Sequence, residues 1–470
     1  MEQLKQLFAT WAGEPCAECL AIGGGGSSRR YYRLIGATHR CIGTVANDVR
    51  ENEAFFAYTR HFRAKGMPVP ELYAISDDRR HYLQQDLGDI TLYAILQDKK
   101  RQGGGFDTEM LGLYRQALAD LAALQVAGRD MDFTMAYPRE AFDSRSIHWD
   151  LNYFKYFFLK LLHVNFDEEL LENDFDCFTE FLLTADCSYF LYRDFQGRNI
   201  MVNSNSELFY IDYQGGRRGA AQYDVASLLY SAKSDLPEVL RTNLLEHYLD
   251  VRGIRGDERR QWLEHFHGYV LVRILQTLGA YGYRGIYEHK PYFLESIPLA
   301  LRNLRQLRLS HPLPVELPEL QRCLTALDNL ELLNTPTTDD RLTVEVMSFS
   351  FKQGLPHDSS GNGGGHLFDC RALPNPGRYA EYKCYTGKDR PVIEFLEREP
   401  AVDEFLTHVK AIVGQSVEKY LERRFNHLQV AFGCTGGQHR SVYCAEQLVA
   451  WLRHTYPAAN IVVTHREQQS

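Results

Sequence analysis

The segment from Tyr192 to Met201 carries the residues whose types and spacing are best suited to chemistry. Asp194 and Asn199 lie five positions apart after an apolar run, and Asp212 follows a second apolar run further along the chain. This order matches the phosphoryl-transfer pattern H-R-D-x-x-x-x-N followed by D-F-G, with a tyrosine in place of the histidine. It predicts that Asp194 accepts the proton of an acceptor hydroxyl, and that Asn199 and Asp212 offer oxygen ligands to Mg²⁺. Aspartates are also common in turns, but two matches in the correct order favour the chemical role.

A glycine-rich run offers a second part that phosphoryl transfer from a nucleotide needs. Four consecutive glycines at 23–26 leave a backbone without side chains, which can fold closely over phosphates, and two serine hydroxyls follow. Such a run is also typical of a flexible loop, but its position before a predicted strand favours phosphate binding. The predicted phosphate-binding residues are Gly24, Gly25, Gly26, Ser27 and Ser28.

The hydrophobic pattern predicts the elements that position these residues. Residues 19–100 mix short β-like runs with turns, and a helical pattern over 51–65 ends at a glycine followed by two prolines. Residues 107–330 are mainly helical by the spacing of their apolar side chains. Two apolar runs, 189–192 and 208–211, interrupt this region and lead directly into the reactive residues. We therefore expect a small strand-rich lobe followed by a helical lobe.

The pattern of predicted elements changes in the last third of the chain. A polar segment at 334–340 is typical of a linker. After it, predicted strands alternate with helical segments; the strands cover 342–349, 428–432 and 460–464, and the helices 391–424 and 441–454. This alternation predicts a small α/β domain with a mostly parallel sheet.

Four runs within residues 20–300 resemble motifs of the aminoglycoside phosphotransferase/choline-kinase-like superfamily of small-molecule kinases. They cover 26–33, 85–89, 192–199 and 211–214. In detail they are most similar to the N-acetylmuramate/N-acetylglucosamine anomeric kinases of bacterial cell-wall recycling. The resemblance implies an α+β bilobal protein-kinase-like domain that uses ATP and Mg²⁺ to phosphorylate an amino sugar. It divides this domain into a small lobe at 1–90 and a helical lobe at 91–333.

The resemblance also suggests how a nucleotide binds. Residues 84–87 are the expected connection between the lobes, and the backbone at Gln85 and Leu87 is predicted to pair with the adenine edge. The strand predicted at 41–45 contains no lysine where a protein kinase has one, so Glu53 would lack its usual partner. Arg30 or Arg33 is predicted to supply the positive charge instead, because the similar sugar kinases carry arginines there.

The acceptor side of the site is less clearly marked. Trp149 and Arg198 are candidate contacts for a sugar ring, although a tryptophan on a helix more often packs into a core. Asp224 is predicted to be structural, holding the reactive segment in place.

A second candidate site follows the strand at 428–432. Residues 433–441 read G-C-T-G-G-Q-H-R-S and open a helix, so exposed N–H groups, the helix dipole and Arg440 together form an expected anion site. Cys434 and Arg440 also have the C-x5-R spacing of tyrosine phosphatases, in which the thiolate attacks phosphorus.

Residues 341–470 resemble the C-terminal domain of the RNase adapter family RapZ. Four runs carry the resemblance: 348–354, 368–376, 386–389 and 433–441. The resemblance implies a pocket for a phosphorylated amino sugar and, in some members, RNA binding. The predicted pocket residues are Lys352, Asp369, Arg371, Cys434, Thr435, Gly436, Gly437, His439, Arg440 and Ser441.

Composition limits the class of partner. The 470 residues carry a formal charge of -9, and residues 341–470 are nearly neutral, with 15 Lys and Arg against 14 Asp and Glu. A broad basic face for nucleic acid is therefore not expected, so RNA ranks low as a partner. No apolar window long enough for a membrane span and no secretory signal is present, which predicts a cytoplasmic protein without a membrane partner.

Three functional hypotheses remain open. The first is a kinase of an amino sugar with a C-terminal domain that binds a sugar phosphate. The second is a regulatory or RNA-adapter protein with a degenerate kinase unit, which responds to an amino-sugar phosphate. The third makes the C-terminal domain a phosphatase that acts through Cys434.

Overall fold

In the computed structural model the described residues are 1–23, 29–328, 342–356, 365–423, 425 and 427–468. The predicted phosphate-binding residues 24–28 and the predicted linker 334–340 lie outside them. The chain divides into two compact units. The first consists of Met1–Tyr287 with Glu295–Leu333, and the second of Glu288–Leu294 with Asn334–Ser470. The finer lobe boundary at residue 90 stays a prediction.

The first unit begins with a five-stranded antiparallel sheet in the order β1-β2-β3-β5-β4. Its strands are β1 (Glu18–Ile22), β2 (Arg30–Ile35), β3 (Arg40–Val45), β4 (Leu72–Ile75) and β5 (His81–Gln84). Helix α1 (Glu2–Ala12) buries Leu4 and Phe8 in a small core with Leu34 and Leu83 of the sheet. This core attaches α1 to one face of the sheet.

Helix α2 (Val49–Ala64) ties this sheet to the segment around Asp212. Its buried face carries aromatic side chains. The Phe55 ring stacks on the Tyr213 ring with their centroids 5.4 Å apart, and the Tyr58 hydroxyl donates to the Gly216 carbonyl over 2.9 Å. The helix therefore fixes the position of the sheet relative to the segment that contains Asp212.

Helices form most of the rest of the first unit. They are α3 (Leu92–Arg101), α4 (Thr108–Ala127), α5 (Ser144–Phe154), α6 (Glu168–Leu183), α7 (Gln222–Leu229), α8 (Glu238–Arg252), α9 (Gly256–Tyr281), α11 (Ile297–Ser310) and α12 (Pro318–Asp328), while the short α10 (Pro291–Leu294) is grouped with the second unit. Helix α9 is largely buried and packs against α5, α7 and α11. Among the described residues, no helix combines the length and the apolar character needed to cross a bilayer.

Two pairs of short strands are embedded in this helical lobe. Strand β6 (Tyr189–Leu191) pairs antiparallel with β9 (Arg217–Gly219), and β7 (Ile200–Val202) pairs antiparallel with β8 (Leu208–Tyr210). The reactive residues lie in the connections from β6 to β7 and from β8 to β9. A small antiparallel sheet followed by a helical lobe with such strand pairs is the bilobal α+β kinase-like fold, which confirms the predicted class.

The second unit contains a four-stranded sheet in which every pair is parallel. The strands are β10 (Thr343–Ser350), β11 (Gly365–Asp369), β12 (His427–Cys434) and β13 (Asn460–His465), in the order β11-β12-β10-β13. Helices α13 (Arg390–Glu397), α14 (Pro400–Glu422) and α15 (Arg440–Thr455) pack on the sheet around a core rich in valine and leucine. The predicted α/β domain is confirmed.

Candidate active site

A buried carboxylate fixes the start of the reactive segment. Asp224 lies on α7 and is fully buried, and it accepts the backbone N–H groups of Tyr192 at 2.6 Å and Arg193 at 3.0 Å. Burial raises the pKa of Asp224 to about 7, and the two N–H groups oppose that rise. The predicted structural role of Asp224 is confirmed.

The Arg193 side chain provides a second anchor. Its guanidinium donates to both carboxylate oxygens of Asp150 on α5, at 2.6 and 2.7 Å, and to the Tyr223 hydroxyl at 2.7 Å. Its backbone has a φ of 82°, a left-handed conformation that costs energy for a non-glycine residue. These contacts hold the strained backbone immediately before Asp194.

Replacing Asp224 by alanine is expected to destabilise the first unit. Two backbone N–H groups, one in a buried and one in a partly buried hydrogen bond, would lose their acceptor, at about 1–3 kcal/mol each, so we expect a loss of about 2–6 kcal/mol in the free energy of unfolding. Urea unfolding followed by circular dichroism measures this loss. The matched control is Asp176→Ala, because the Asp176 side chain is 67% exposed and contacts only the nearby His148 among described ion pairs. Equal stability of the two variants would contradict the anchoring role.

Asp194, Asn199 and Asp212 converge in one cluster. The Asn199 amide Nδ2 donates to the Asp194 backbone carbonyl at 2.9 Å and to the Asp212 carboxylate at 3.2 Å. Both N–H bonds of the amide are therefore used within the cluster. The Asn199 amide oxygen has no hydrogen-bond donor among the described residues, so it is the atom available to a ligand.

Cations keep Asp194 ionised. Arg273 of α9 donates to its Oδ1 at 3.3 Å, and Gln196 donates to the same oxygen at 3.2 Å. Burial raises the pKa of Asp194, but the charges of Arg273, Arg193 and Arg198 outweigh it and hold the pKa below its usual value. The side chain is nevertheless 44% exposed, so a substrate can reach it.

A cavity of about 30 Å³ lies beside this carboxylate. It is lined by groups that include Gln196, Ser227, Tyr230, Arg273, Thr277 and Tyr281. Gln196 and Arg273 are the two residues that donate to Asp194, so the cavity opens next to the carboxylate. The lining residues on α7 and α9, such as Ser227 and Arg273, had no signal in the sequence, because each belongs to an ordinary helical pattern outside residues 192–201.

The pKa of Asp212 is shifted in the opposite direction from that of Asp194. Burial and the neighbouring charge of Asp194 raise its pKa, and the hydrogen bond from Gln214 and the charges of Arg29 and Arg198 only partly compensate. Its backbone φ of 71° aims the carboxylate at the cluster from a strained turn. A carboxylate with an elevated pKa beside an available amide oxygen is a donor set that a divalent cation would stabilise.

Arg29 is a buried arginine that was not among the predicted nucleotide-binding residues. It is 5% exposed and forms an ion pair with Glu51 of α2, with Nη2 and Oε1 3.3 Å apart. Its charge also acts on Asp212. Glu53 was predicted to lack the lysine partner that a protein kinase provides. In the structure Arg79 donates to it at 2.6 Å.

The two arginines predicted to meet phosphates lie elsewhere on β2. Arg30 is exposed, and the Arg33 guanidinium is held by Asp86 at 2.8 Å and Asp89 at 2.8 Å. Their nucleotide-binding role stays a prediction.

The predicted connection between the lobes follows β5. The Gln85 N–H donates to the Glu71 carbonyl at 2.9 Å. The Gln85 carbonyl and the Leu87 N–H have no backbone partner among the described residues, which leaves both groups for an adenine edge.

The predicted acceptor contacts are separated in the structure. Arg198 is exposed, and its charge acts on both Asp194 and Asp212. Trp149 is 49% exposed on α5, with the Arg139 guanidinium 5.9 Å from its ring centroid. No contact of Trp149 with the cluster is described, so its substrate role stays a prediction.

The second unit contains a separate cavity of about 190 Å³ at the end of β12. It is lined by Asn375, Gly377, Cys434, Thr435, Gly436, Gln438, His439 and Arg440. Five of these were predicted pocket residues, whereas Asn375, Gly377 and Gln438 were not. Among the residues that the structure describes, no carboxylate lines this cavity, which suits an anionic ligand.

The remaining predicted pocket residues lie around the cavity rather than in its lining. Lys352 is exposed, and Arg371 binds Asp369 and stacks on the Phe351 ring with 4.0 Å to the centroid. Ser441 contacts Cys434, and the Gly437 N–H donates to the same sulfur. Residues 352, 369 and 371 thus form an outer group whose ligand contacts stay predictions.

Comparison with protein families identifies both units. The sequence profile of the phosphotransferase enzyme family matches residues 18–263, which is more than half of the chain. The chain belongs to this phosphotransferase family. The profile of the RapZ C-terminal domain matches residues 342–469. The phosphotransferase therefore carries a RapZ-type domain after its kinase-like unit, as the motifs predicted.

Curated relatives match a part of the phosphotransferase. A nucleotide-binding protein of Marinobacter nauticus is 38% identical over 129 residues, which are 27% of this chain and 42% of that protein. A nucleotide-binding protein of Burkholderia vietnamiensis is 43% identical over 126 residues, which are 27% of this chain and 39% of that protein. The phosphotransferase thus spans about two fifths of the length of these relatives.

Solved structures with a similar course of the chain include two kinases. A choline kinase of Streptococcus pneumoniae is 12% identical and covers 65% of this chain and 98% of its own, with a TM-score of 0.41. An AMP-bound spectinomycin phosphotransferase is 10% identical and covers 66% of this chain and 98% of its own, with a TM-score of 0.47. The family assignment of the phosphotransferase rests on its sequence profile and not on these likenesses.

Proposed function

We propose that this phosphotransferase is an ATP-dependent kinase that phosphorylates an amino sugar of the N-acetylglucosamine or N-acetylmuramate type at its anomeric hydroxyl. The observation that carries the proposal is the Asn199 amide, which joins the Asp194 carbonyl at 2.9 Å to the Asp212 carboxylate at 3.2 Å. This bridge would hold the proposed proton acceptor next to the proposed cation site, as phosphoryl transfer from a nucleotide requires.

In the proposed reaction Asp194 accepts the hydrogen bond and then the proton of the acceptor hydroxyl. Arg273 keeps the carboxylate ionised and in place, since it donates to Oδ1 at 3.3 Å. The Asp194 side chain is 44% exposed, which is the access proposed for the acceptor. Asp194 can then meet a hydroxyl without displacing its own neighbours.

Mg²⁺ fits the donor set of the cluster. The Asn199 amide oxygen and the Asp212 carboxylate would hold it, and the elevated pKa of Asp212 indicates a site that gains from added positive charge. When bound, the cation neutralises charge on the nucleotide phosphates. Arg29 is the proposed side-chain cation on the other side of the phosphates, with Glu51 holding its guanidinium at 3.3 Å.

The amino-sugar class is proposed from two independent parts of the chain. The motif at 26–33 resembles sugar kinases, and the RapZ-type domain has a cavity of about 190 Å³ without carboxylates in its lining. We propose that this cavity binds an amino-sugar phosphate such as glucosamine 6-phosphate. The reaction is proposed to run in the cytoplasm, where ATP is available and the free cysteines stay reduced.

Phosphorus NMR of the full chain with ATP, Mg²⁺ and single acceptors tests the function. The acceptors are N-acetylglucosamine, N-acetylmuramate, choline and kanamycin. We expect a sugar 1-phosphate resonance with one of the two amino sugars and no product with choline or kanamycin. A 6-phosphate product would correct the position, and choline turnover would overturn the substrate class. Absence of ATP consumption with every acceptor would favour the regulatory alternative.

A further inference from the structure

Where β12 leads into α15, one backbone N–H and one hydroxyl lie within hydrogen-bonding distance of a cysteine sulfur. Cys434 is the last residue of β12, and α15 begins at Arg440. The Gly437 N–H donates to the Cys434 Sγ at 3.2 Å, and the Ser441 Oγ lies 3.1 Å from the same sulfur. Hydrogen bonds of this kind stabilise a thiolate, which is the nucleophilic form of cysteine.

The donor from Gly437 depends on a backbone conformation that suits glycine. The φ of Gly437 is +68°, and a Cβ at this position would come within 2.5 Å of the Glu467 carboxylate. The loop is also held by Ser350, whose hydroxyl donates to the Thr435 carbonyl at 2.8 Å. These contacts fix the conformation of the loop around the Cys434 sulfur.

Arg440 supplies the positive charge of this cavity. The residue is 5% exposed, and its Nη1 donates to the carbonyls of Arg371 at 2.8 Å and Leu373 at 3.0 Å. Its Nε is buried and has no hydrogen-bond partner among the described residues. An unpaired buried N–H of a cation is costly, and an anion in the cavity would satisfy it.

The size of the cavity suits a phosphate ester. Its volume of about 190 Å³ is several times the roughly 30 Å³ that one water molecule occupies in the liquid. Cys434 and Arg440, the first residue of α15, both line this one space. The loop thus holds a nucleophile and an anion site together.

We propose that Cys434 is the nucleophile of a phosphomonoester hydrolase in the second unit. The inference rests on the proposed sugar-phosphate cavity and adds a reaction to it. The thiolate attacks phosphorus, so an S–P bond forms while the ester P–O bond breaks and the alcohol leaves with a proton. Water then attacks the phosphocysteine, the S–P bond breaks, and inorganic phosphate leaves with the thiolate regenerated.

His439 is the proposed proton donor to the leaving oxygen. Its ring lines the cavity, and its Nε2 lies 3.0 Å from the Tyr382 carbonyl. If Nε2 donates to that carbonyl, Nδ1 is the ring atom left to carry the transferable proton. Water in the second step returns this proton to the imidazole.

The test uses the full chain with p-nitrophenyl phosphate and no nucleotide. We expect release of p-nitrophenol that is inhibited by vanadate and that falls to the rate of the protein-free solution in Cys434→Ser. The matched control is Cys384→Ser, because Cys384 is an exposed free cysteine. The assay contains no nucleotide, so release of p-nitrophenol cannot come from phosphoryl transfer by the first unit.

Binding of glucosamine 6-phosphate by titration calorimetry, in the same preparations, separates the two proposals. Binding by the wild type and by Cys434→Ser shows that the cavity is intact in both. Binding without release of phosphate from either ester overturns the hydrolase and leaves the proposed cavity standing. Turnover that persists in Cys434→Ser overturns the role of the sulfur. Absence of binding removes the proposed sugar-phosphate site itself.

Discussion

An Asp194→Asn protein is expected to lose about 10²- to 10⁴-fold in kcat while it still binds ATP. The substitution keeps the shape of the side chain and an oxygen that can accept from Gln196, but it removes the group that takes the hydroxyl proton. Since the pKa of Asp194 lies below its usual value, the wild-type carboxylate is fully ionised at neutral pH. The loss therefore reports a missing base and not a changed charge state of the wild type.

Steady-state kinetics with the accepted sugar, together with calorimetric ATP binding, checks this result. The matched control is Asp257→Asn, because the Asp257 side chain is 86% exposed at the start of α9 and binds the neighbouring Arg260. Its kcat should equal that of the wild type. An Asp194→Asn protein with the wild-type kcat would remove the base from the mechanism, and lost ATP binding would mean that the turn has collapsed.

The part of this site that is local in the chain could be predicted from the sequence. Asp194 and Asn199 are five residues apart, so one turn brings them together, and a strand before each reactive run follows from its apolar residues. Their partner strands, β7 and β9, are three residues long, which is too short for a periodic pattern. The sequence therefore predicts the reactive turns but not the pairing that holds them.

Long-range contacts had no sequence signal. Asp150 binds Arg193 across 43 positions, and Arg273 reaches Asp194 across 79 positions from the middle of a buried helix. Both residues fit ordinary helical patterns, so no local feature separates them from surface charges. In the second unit Asn375, which lies in the run 368–376, and Gly377, just after that run, line the cavity although both lie far along the chain from the glycine loop.

The choice among three neighbouring arginines illustrates the same limit. Residues 29, 30 and 33 are all arginines near the start of β2, and their charge alone does not separate them. The fold separates them, because Arg29 is buried beside Glu51, Arg30 is exposed, and Arg33 is neutralised by Asp86 and Asp89. The burial and the ion pairs of these arginines depend on how the sheet and α2 pack, so the sequence alone does not reveal them.

An Arg29→Gln protein is consequently expected to lose about 10- to 100-fold in kcat/KM for ATP. A charge-assisted hydrogen bond contributes about 1.5–3 kcal/mol, which corresponds to this range. The matched control is Arg30→Gln, one position along the chain and exposed, for which we expect less than about a twofold change. Kinetics at saturating sugar and varied ATP measure both variants, and a larger loss in Arg30→Gln than in Arg29→Gln would restore the assignment predicted from the sequence.

Glu51 provides a second test of Arg29 that does not depend on the size of a single loss. If Glu51 acts by holding the guanidinium, Glu51→Gln should impair ATP use in the wild type and have little further effect in Arg29→Gln. Contacting residues in a double-mutant cycle typically show an interaction energy of about 0.5–3 kcal/mol, whereas independent residues are additive within about 0.5 kcal/mol. The Glu51 side chain is 31% exposed, so it can be solvated when Arg29 is removed and the fold should survive. Additive losses would mean that the two residues affect the nucleotide separately, and the pair would then be an ion pair of the fold alone.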